Sequence, residues 1–263
     1  MDGYFSFPQL PLVPTGYAYN ASHVWWICGF LILAGLIYLC FACKLTKSTK
    51  NWLPVTIWLA GLLFVFPEAV NCVLSCIYWT VSPEEKLTLF TLLGHKMDLH
   101  AVIVWWSYVA VVGYTMYKAL INNATTKRLW IIYGIAVLTD VVAEIVFLGV
   151  GGLYVYYGNQ PLVVIGGRVN LPLWWMFMNN AGLFLGIAIL YRYRDYFNGI
   201  RSLWALVILP LVYLGVNAGV AMTTAFAIND PEMPWFWTQL MGVITCCLCL
   251  LVVQGTMKLV LRR

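Results

Sequence analysis

Seven long apolar segments separated by short loops constrain the fold of this chain more than any other feature. Each segment is long enough to cross a bilayer core as a helix, which takes about 20 residues. The composition agrees, because 62% of the residues are hydrophobic and only 10% are charged, unlike any typical soluble domain. We therefore predict an all-α, polytopic membrane protein, a seven-transmembrane-helix bundle with spans at about 22–43, 53–80, 99–121, 129–157, 172–191, 202–228 and 234–261.

The basic residues predict how this bundle is oriented. Most Lys and Arg residues fall on one side, and only Lys86, Lys96 and Arg168 fall on the other. By the positive-inside rule, the N-terminus is outside or lumenal and the C-terminus is cytoplasmic. The loops leave no room for a soluble domain, so we expect residues 1–263 to form one membrane domain with an extramembrane tail over 1–21. The tail has no basic n-region, and we expect no cleaved signal peptide.

Several function classes are disfavoured by the same sequence. The net charge of +5 is spread over short loops, which argues against a nucleic-acid partner. The cysteines lie within or at the ends of spans, so we expect neither a disulfide framework nor a zinc cluster. No Gly-rich phosphate loop is present. We predict no metal, no cofactor and no obligate protein partner, in a multi-pass protein of the endoplasmic reticulum if eukaryotic or the plasma membrane if bacterial.

Two acidic residues, Asp140 and Glu144, lie inside the fourth predicted span. Side chains four residues apart share one helix face, with Cβ atoms roughly 6 Å apart, and Phe147, Gly151 and Tyr154 would continue that face. Carboxylates at membrane depth cost at least ~2.5 kcal/mol each, so they normally face a protein interior or cavity and mark a function. The alternative is a structural pair that holds helices together.

A third acid, Glu68, lies in the second predicted span beside Pro67. Proline in a helix interior frees a carbonyl group and kinks the chain, which a cavity or neighbour can satisfy at depth. Depth arithmetic at 1.5 Å per residue places the three acids near the midplane, where they could share one pocket. We predict Glu68, Asp140 and Glu144 as catalytic residues, and as substrate-binding residues Asn71, Tyr78, Trp105, Tyr154, Tyr157, Gln160, Trp175, Asn179, Asn180 and Asn217.

Four short motifs resemble the AveC-like spirocyclases, multi-pass membrane proteins of natural-product pathways. The motifs are Phe66-Pro67-Glu68, Asp140-Val141-Val142-Ala143-Glu144, Tyr156-Tyr157-Gly158-Asn159-Gln160-Pro161-Leu162, and Leu173-Trp174-Trp175 through Asn179. The resemblance spans roughly residues 55 to 182, about half of the chain. The family pattern has Phe-Glu-Pro followed by an Asp, whereas this chain has Pro67-Glu68 followed by Asn71. This departure allows different chemistry on a shared scaffold.

The resemblance implies a membrane cyclase that closes a lipophilic dihydroxy-ketone to a spiroketal and can dehydrate the product. Such chemistry needs an acid for the departing oxygen and a base for the attacking hydroxyl. Desolvation and mutual repulsion would keep one carboxyl group protonated while a hydrogen-bonded partner stays ionised. The spacing of the acids does not decide which of them is the acid.

Two alternatives fit the same residues. A transmembrane terpene cyclase would protonate a polyene or epoxide and stabilise cations on aromatic faces, for which the candidates are Trp105, Trp106, Trp174, Trp175, Tyr78 and Tyr154. A proton-coupled transporter or seven-span sensor would use the acids as a proton relay, although no inverted repeat is visible. In each enzyme case the expected partners are a lipophilic small-molecule substrate and membrane lipid.

Overall fold

The computed structural model describes Pro11, Tyr17 and residues 19–167 and 169–261. Most of the predicted tail and Arg168 therefore lie outside the described residues. Ten α-helices are present in this part of the chain, namely α1 (Ala21–Thr49), α2 (Leu53–Ala60), α3 (Val65–Ser75), α4 (Leu99–Tyr108), α5 (Tyr114–Ile121), α6 (Thr126–Glu144), α7 (Leu173–Arg192), α8 (Ala205–Val220), α9 (Met222–Asn229) and α10 (Trp235–Leu261).

Six helical stretches in the described part of the chain are long and apolar enough to cross a membrane. They are α1, α7, α10 and three composite stretches, Leu99–Ile121, Thr126–Gly151 and Gly199–Val220. The pair α2 and α3 passes the same test with a bend of 46° between its halves. The protein is thus mostly helical and has the long apolar helices of a membrane-embedded protein, while the seventh crossing and the orientation stay predictions.

The second predicted span is broken where the sequence contains proline. A 3-10 turn, Gly61–Leu63, separates α2 from α3. Pro67 has no N–H, and its ring crowds the carbonyl of the residue four positions earlier, which explains a bend at this point. The prediction of helix to residue 80 is wrong, because α3 ends at Ser75 and Cys76 adopts a left-handed conformation with φ of 51°.

The fourth predicted span is also shorter than expected. After Glu144 the helix widens into a π-helical segment, Ile145–Gly151, and Gly152 ends it with φ of 58°. Glycine adopts this left-handed conformation without steric cost. The prediction that Tyr154 continues the helical face of the two acids is therefore wrong, because Tyr154 lies on a strand.

Three two-stranded antiparallel sheets lie between the helices in the described part of the chain, so the prediction of an all-α fold needs correction. The first joins β1 (Ile77–Trp79) to β4 (Tyr154–Tyr156), which places Trp79 opposite Tyr154. This pair links the chain after the broken second span to the chain after the fourth span. The other pairs are β2 (Thr88–Leu92) with β3 (His95–Asp98) and β5 (Val163–Ile165) with β6 (Leu171–Pro172).

Helix α7 is the centre of the bundle, with most of its residues buried. It packs against α5, α6, α8 and α10. Small residues allow the close contact with α8, since a Cβ atom at Gly182 would lie only 3.1 Å from Tyr213 Cδ2. Helix α1 lies at the periphery and exposes much of its apolar surface. The central position of α7 brings its polar side chains, Asn179 and Asn180, into the interior.

Candidate active site

A cavity of about 720 Å³ lies between α1, α4, α6 and α7. This volume is within the range of small-molecule sites. The strand pair β1–β4 and the π-helical segment after α6 complete its walls. Glu68, Asp140 and Glu144, which come from two separate predicted spans, all line this one cavity.

Asp140 is held by two amide groups of the central helix. Its Oδ2 atom accepts hydrogen bonds from Asn179 Nδ2 at 3.4 Å and from Asn180 Nδ2 at 3.2 Å. The carboxyl group is buried, so these donors replace the water that a carboxylate would otherwise bind. Two donors directed at one oxygen fit a carboxylate, which only accepts hydrogen bonds.

The two amides are in turn oriented by tyrosine hydroxyls. Tyr213 donates to Asn179 Oδ1 at 2.6 Å, and Tyr108 donates to Asn180 Oδ1 at 3.0 Å. Because each amide oxygen is occupied, each NH₂ group is turned towards Asp140. Asn180 Nδ2 also donates to the Met176 carbonyl at 2.9 Å. Three helices, α4, α7 and α8, therefore fix the position of one carboxyl group.

Glu68 lies in the first turn of α3 and is fully enclosed. Its Oε1 atom accepts hydrogen bonds from Trp79 Nε1 at 3.0 Å and from Cys72 Sγ at 3.7 Å. Its Oε2 atom has no hydrogen-bond partner among the described residues. The Trp79 ring also packs on Tyr154, with ring centroids 4.4 Å apart. The sheet that carries Trp79 therefore positions Glu68.

Glu144 lies one turn after Asp140 at the end of α6. The side chains of Tyr154 and Tyr156 lie next to its carboxyl group, and Asp140 and Glu68 line the same cavity. Its Oε2 atom lacks a partner within the described residues. Glu144 is thus the carboxyl group with the fewest fixed donors, in a part of the cavity surrounded by tyrosines.

No basic side chain neutralises these acids in the described part of the chain. The ion pairs found there, Lys86 with Glu84 and Lys96 with Glu85, lie in the segment between β1 and α4. Within the same residues no three His, Cys, Asp or Glu side chains form a group that could hold a metal ion.

The predicted substrate-binding residues divide into those at the cavity and those away from it. Trp105, Tyr154, Trp175 and Asn179 line the cavity, and Asn180 lies directly behind Asp140. Together with the three acids they form one continuous group.

The remaining predicted residues lie elsewhere. Tyr78 points away from the cavity because successive strand residues alternate in direction, and its neighbours Ile77 and Trp79 face inward. Tyr157 does not line the cavity either. Gln160 lies in the loop after β4 and connects it to the end of α3. Its Nε2 atom donates hydrogen bonds to the carbonyl oxygens of Ser75 and Tyr157. Asn71 and Asn217 adjoin a separate void of about 10 Å³.

The sequence analysis missed several contributors to this site, and three of them show why. No pattern in the sequence indicated Trp79, because a continuous helix would place it far from Glu68. Tyr213 had a usable signal, since it lies four residues before Asn217 and shares its helix face. The third is the inner face of α1, which supplies one cavity wall and has no polar residue in its lining to mark it.

Comparisons with known proteins add no further assignment. No protein-family model, no curated protein and no solved structure matches the chain. The likeness to spirocyclases therefore depends on the four sequence motifs alone.

Proposed function

We propose that this protein is an integral membrane cyclase of secondary metabolism, which closes a ring in a lipophilic substrate by acid–base catalysis. The observation that supports it best is that Glu68, Asp140 and Glu144 line one cavity without an ion-pair partner among the described residues. Carboxyl groups buried for structure alone are normally paired. Three of them around a cavity of ligand size are better suited to chemistry on a ligand.

Asp140 serves as the general base in this proposal. Its Oδ2 atom is occupied by the two amides of Asn179 and Asn180, and Oδ1 accepts no hydrogen bond from the described residues. An oriented carboxylate with one free oxygen is the geometry that a general base needs. Glu144 serves as the acid, because its carboxyl group is held by few donors. Glu68 faces them from α3 and stabilises positive charge in the reacting molecule.

These roles account for closure of a dihydroxy-ketone to a spiroketal. After one hydroxyl has added to the ketone, Glu144 protonates the resulting hemiketal hydroxyl, and its C–O bond breaks to release water. The second hydroxyl oxygen attacks the oxocarbenium carbon, and its proton passes to Asp140. Return of this proton from Asp140 to Glu144, one turn away, restores both groups. The net products are the spiroketal and one water molecule.

A second candidate is cyclisation of a polyene or epoxide, and the aromatic lining favours it. Trp79, Trp105, Trp175 and Tyr154 line the same cavity as the acids. Aromatic faces stabilise carbocations by their quadrupoles. In this reaction a carboxyl group protonates the alkene or epoxide, and a carboxylate removes a proton from the final cation.

The experiment replaces Asp140 and Glu144, one at a time, by the corresponding amide in the source organism. The pathway metabolites are then followed by mass spectrometry. Asp140→Asn and Glu144→Gln keep the shape of the side chain but do not exchange a proton at useful pH. Loss of a general acid or base lowers the rate by ~10²–10⁴-fold, so a precursor should accumulate. A precursor heavier than the product by one water indicates ketal closure, whereas an isomer of the product indicates polyene or epoxide cyclisation.

Purified variants provide the controls. Glu84→Gln makes the same chemical change at an exposed loop residue and should leave conversion unchanged. Thermal unfolding should show that the two active-site variants remain folded. Folded variants that convert precursor at the parent rate would contradict the enzyme proposal and assign the acids a structural role. A metabolite that changes side of the membrane without changing mass would instead support a transporter.

A further inference from the structure

The cavity has a wall that does not belong to the bundle centre. One face of α1 lines it with residues repeating at about one helical turn, Trp26, Phe30, Ala34 and Tyr38. The facing wall is α6 and its π-helical continuation, which contribute Thr139, Val142, Ala143, Val146 and Phe147. The two walls therefore enclose the cavity from opposite sides.

Several of these lining residues are exposed to the outside of the protein. The exposed fraction is 72% for Phe30 on α1 and 56% for Val142 on α6. A residue that lines an interior cavity and is also exposed lies at an opening. Both residues lie well inside helices that are apolar enough to span a membrane. The opening therefore faces the hydrocarbon region between α1 and α6.

Two contacts of α1 lie near the ends of this opening. Towards the start of α1, His23 Nδ1 lies 2.9 Å from the Val150 carbonyl oxygen, and Ile27 packs against Gly151. Towards its other end, the ring of Tyr38 contacts that of Tyr114 at a centroid distance of 5.6 Å. From Ile27 to Tyr38 the helix rises roughly 16 Å. The opening is thus a slot in the side of the protein and does not face the loops.

Polarity changes from the slot to the interior. The exposed residues at the slot, such as Phe30 and Val142, are apolar, whereas α3, α6 and α7 contribute the polar groups of Glu68, Asp140 and Asn179 to the cavity lining. A molecule placed in such a cavity lowers its free energy when its apolar chain lies in the slot and its polar end meets the acids. An entirely apolar chain would leave the carboxyl groups without partners.

We propose that the slot between α1 and α6 admits long-chain amphiphiles directly from the bilayer, with the oxygen-bearing end entering first. The proposal deepens the proposed function, on which it rests only for the reaction at the polar end. It names the substrate class as a membrane-dissolved, elongated molecule with hydroxyl or carbonyl groups at one end.

Two photoreactive fatty alcohols test this binding mode without any turnover. One carries a diazirine beside the hydroxyl group, and the other carries it at the far end of the chain. With protein in lipid nanodiscs, the first should label interior residues of α4 such as Val104. The second should label slot residues such as Phe30 and Val142. Labelling by both probes that is confined to outward-facing residues such as Leu33 would overturn the proposal.

A blocking variant and a matched control sharpen the test. Ala34→Trp fills the slot, and it should lower labelling of Val104 by about ten-fold or more. Leu33→Trp adds the same side chain at the preceding residue of α1, which is exposed and does not line the cavity, and it should leave labelling unchanged. Val142→Trp fills the slot from the opposite wall in case Ala34→Trp unfolds. Unchanged Val104 labelling in a folded blocked variant would refute lateral entry.

The outcome is independent of catalysis. Asp140→Asn keeps a polar end for the ligand to meet, and should retain labelling of Val104 while losing conversion. If labelling follows the expected pattern and no precursor accumulates in that variant, lateral binding stands and the cyclase proposal fails. If Val104 is not labelled but precursor accumulates in Asp140→Asn, the cyclase proposal stands and the substrate enters by another route.

Discussion

The indole Nε1 of Trp79 donates a 3.0 Å hydrogen bond to Oε1 of Glu68, although the two residues are 11 positions apart. In a continuous helix they would be roughly 16 Å apart along the axis. The chain reverses at Cys76 instead, and β1 pairs with β4. One side chain of the sheet therefore holds one of the three acids.

We predict that Trp79→Phe lowers the free energy of unfolding by about 1–3 kcal/mol, because Glu68 Oε1 loses its principal donor inside the protein. The phenyl ring keeps most of the contact with Tyr154. Thermal or denaturant unfolding in detergent measures the change. Trp106→Phe is the control, since Trp106 is also buried but its Nε1 atom has no partner among the described residues. Equal losses in the two variants would show that packing, and not the hydrogen bond, is responsible.

The helices and the acids could be predicted from the sequence, because both predictions depend on the free energy of moving side chains between water and a membrane. Transfer of apolar side chains out of water dominates the free energy of a membrane helix, so long apolar runs indicate helices directly. Glu68, Asp140 and Glu144 were recognisable because charges are costly at that depth. Asn179 and Asn180 were found by the same argument. The three acids and Asn179 named from the sequence line the cavity, whereas their roles stay predictions.

The walls of the cavity could not be predicted from apolar runs or buried charges. The chain leaves the helix at Cys76, a non-glycine residue with φ of 51°, and nothing in its residue type indicates this. In a strand, side-chain directions repeat every two residues instead of every 3.6 as in a helix. Tyr78 therefore points away from the cavity, whereas Trp79 points into it. The inner face of α1 is apolar like its lipid-facing side, so its pattern does not distinguish a cavity wall from lipid contact.

We predict that Tyr213→Phe lowers turnover by about ten-fold to a hundred-fold with little change in folding. The hydroxyl of Tyr213 orients Asn179, which in turn holds Asp140, and small displacements of a reacting group are costly. The measurement is conversion at saturating precursor. Tyr133→Phe is a matched control, because it removes a hydroxyl that donates only to the Phe177 carbonyl. A parent-like rate in Tyr213→Phe would contradict the positioning role.

Two helix glycines should respond in opposite ways to alanine. Gly215 has open space around a Cβ position, and Gly215→Ala should stabilise the protein by about 0.5–1 kcal/mol through helix propensity. At Gly182 the Cβ atom would lie 3.1 Å from Tyr213 Cδ2 and 3.2 Å from Asn217 Oδ1. Gly182→Ala should therefore displace α8 and lower both the unfolding temperature and turnover. Stabilisation by both substitutions would show that the contact between α7 and α8 is looser than described.

The final prediction concerns the orientation in the membrane. The structure joins two predicted cytoplasmic regions, because Asn51 Nδ2 donates to the Arg194 carbonyl and Asn198 Nδ2 donates to the Lys50 carbonyl. At the opposite end, Asn229 Nδ2 donates to the Leu74 carbonyl. The loops therefore form two sets at opposite ends of the bundle. Successive membrane crossings would place successive loops at alternate ends in this way.

Single cysteines test which set is cytoplasmic. The background replaces the exposed native cysteines, Cys40, Cys43 and Cys247, by alanine. In sealed vesicles of known sidedness, an impermeant maleimide should reach substitutions at Lys47, Lys127 and Arg194 only from the cytoplasmic side, and those at Glu85 and Asp230 only from the other side. The physical reason is the excess of Lys and Arg on one set of loops. Labelling of Lys47 and Arg194 from opposite sides would contradict the hydrogen bond that joins their regions, and a reversed pattern for both sets would overturn the orientation.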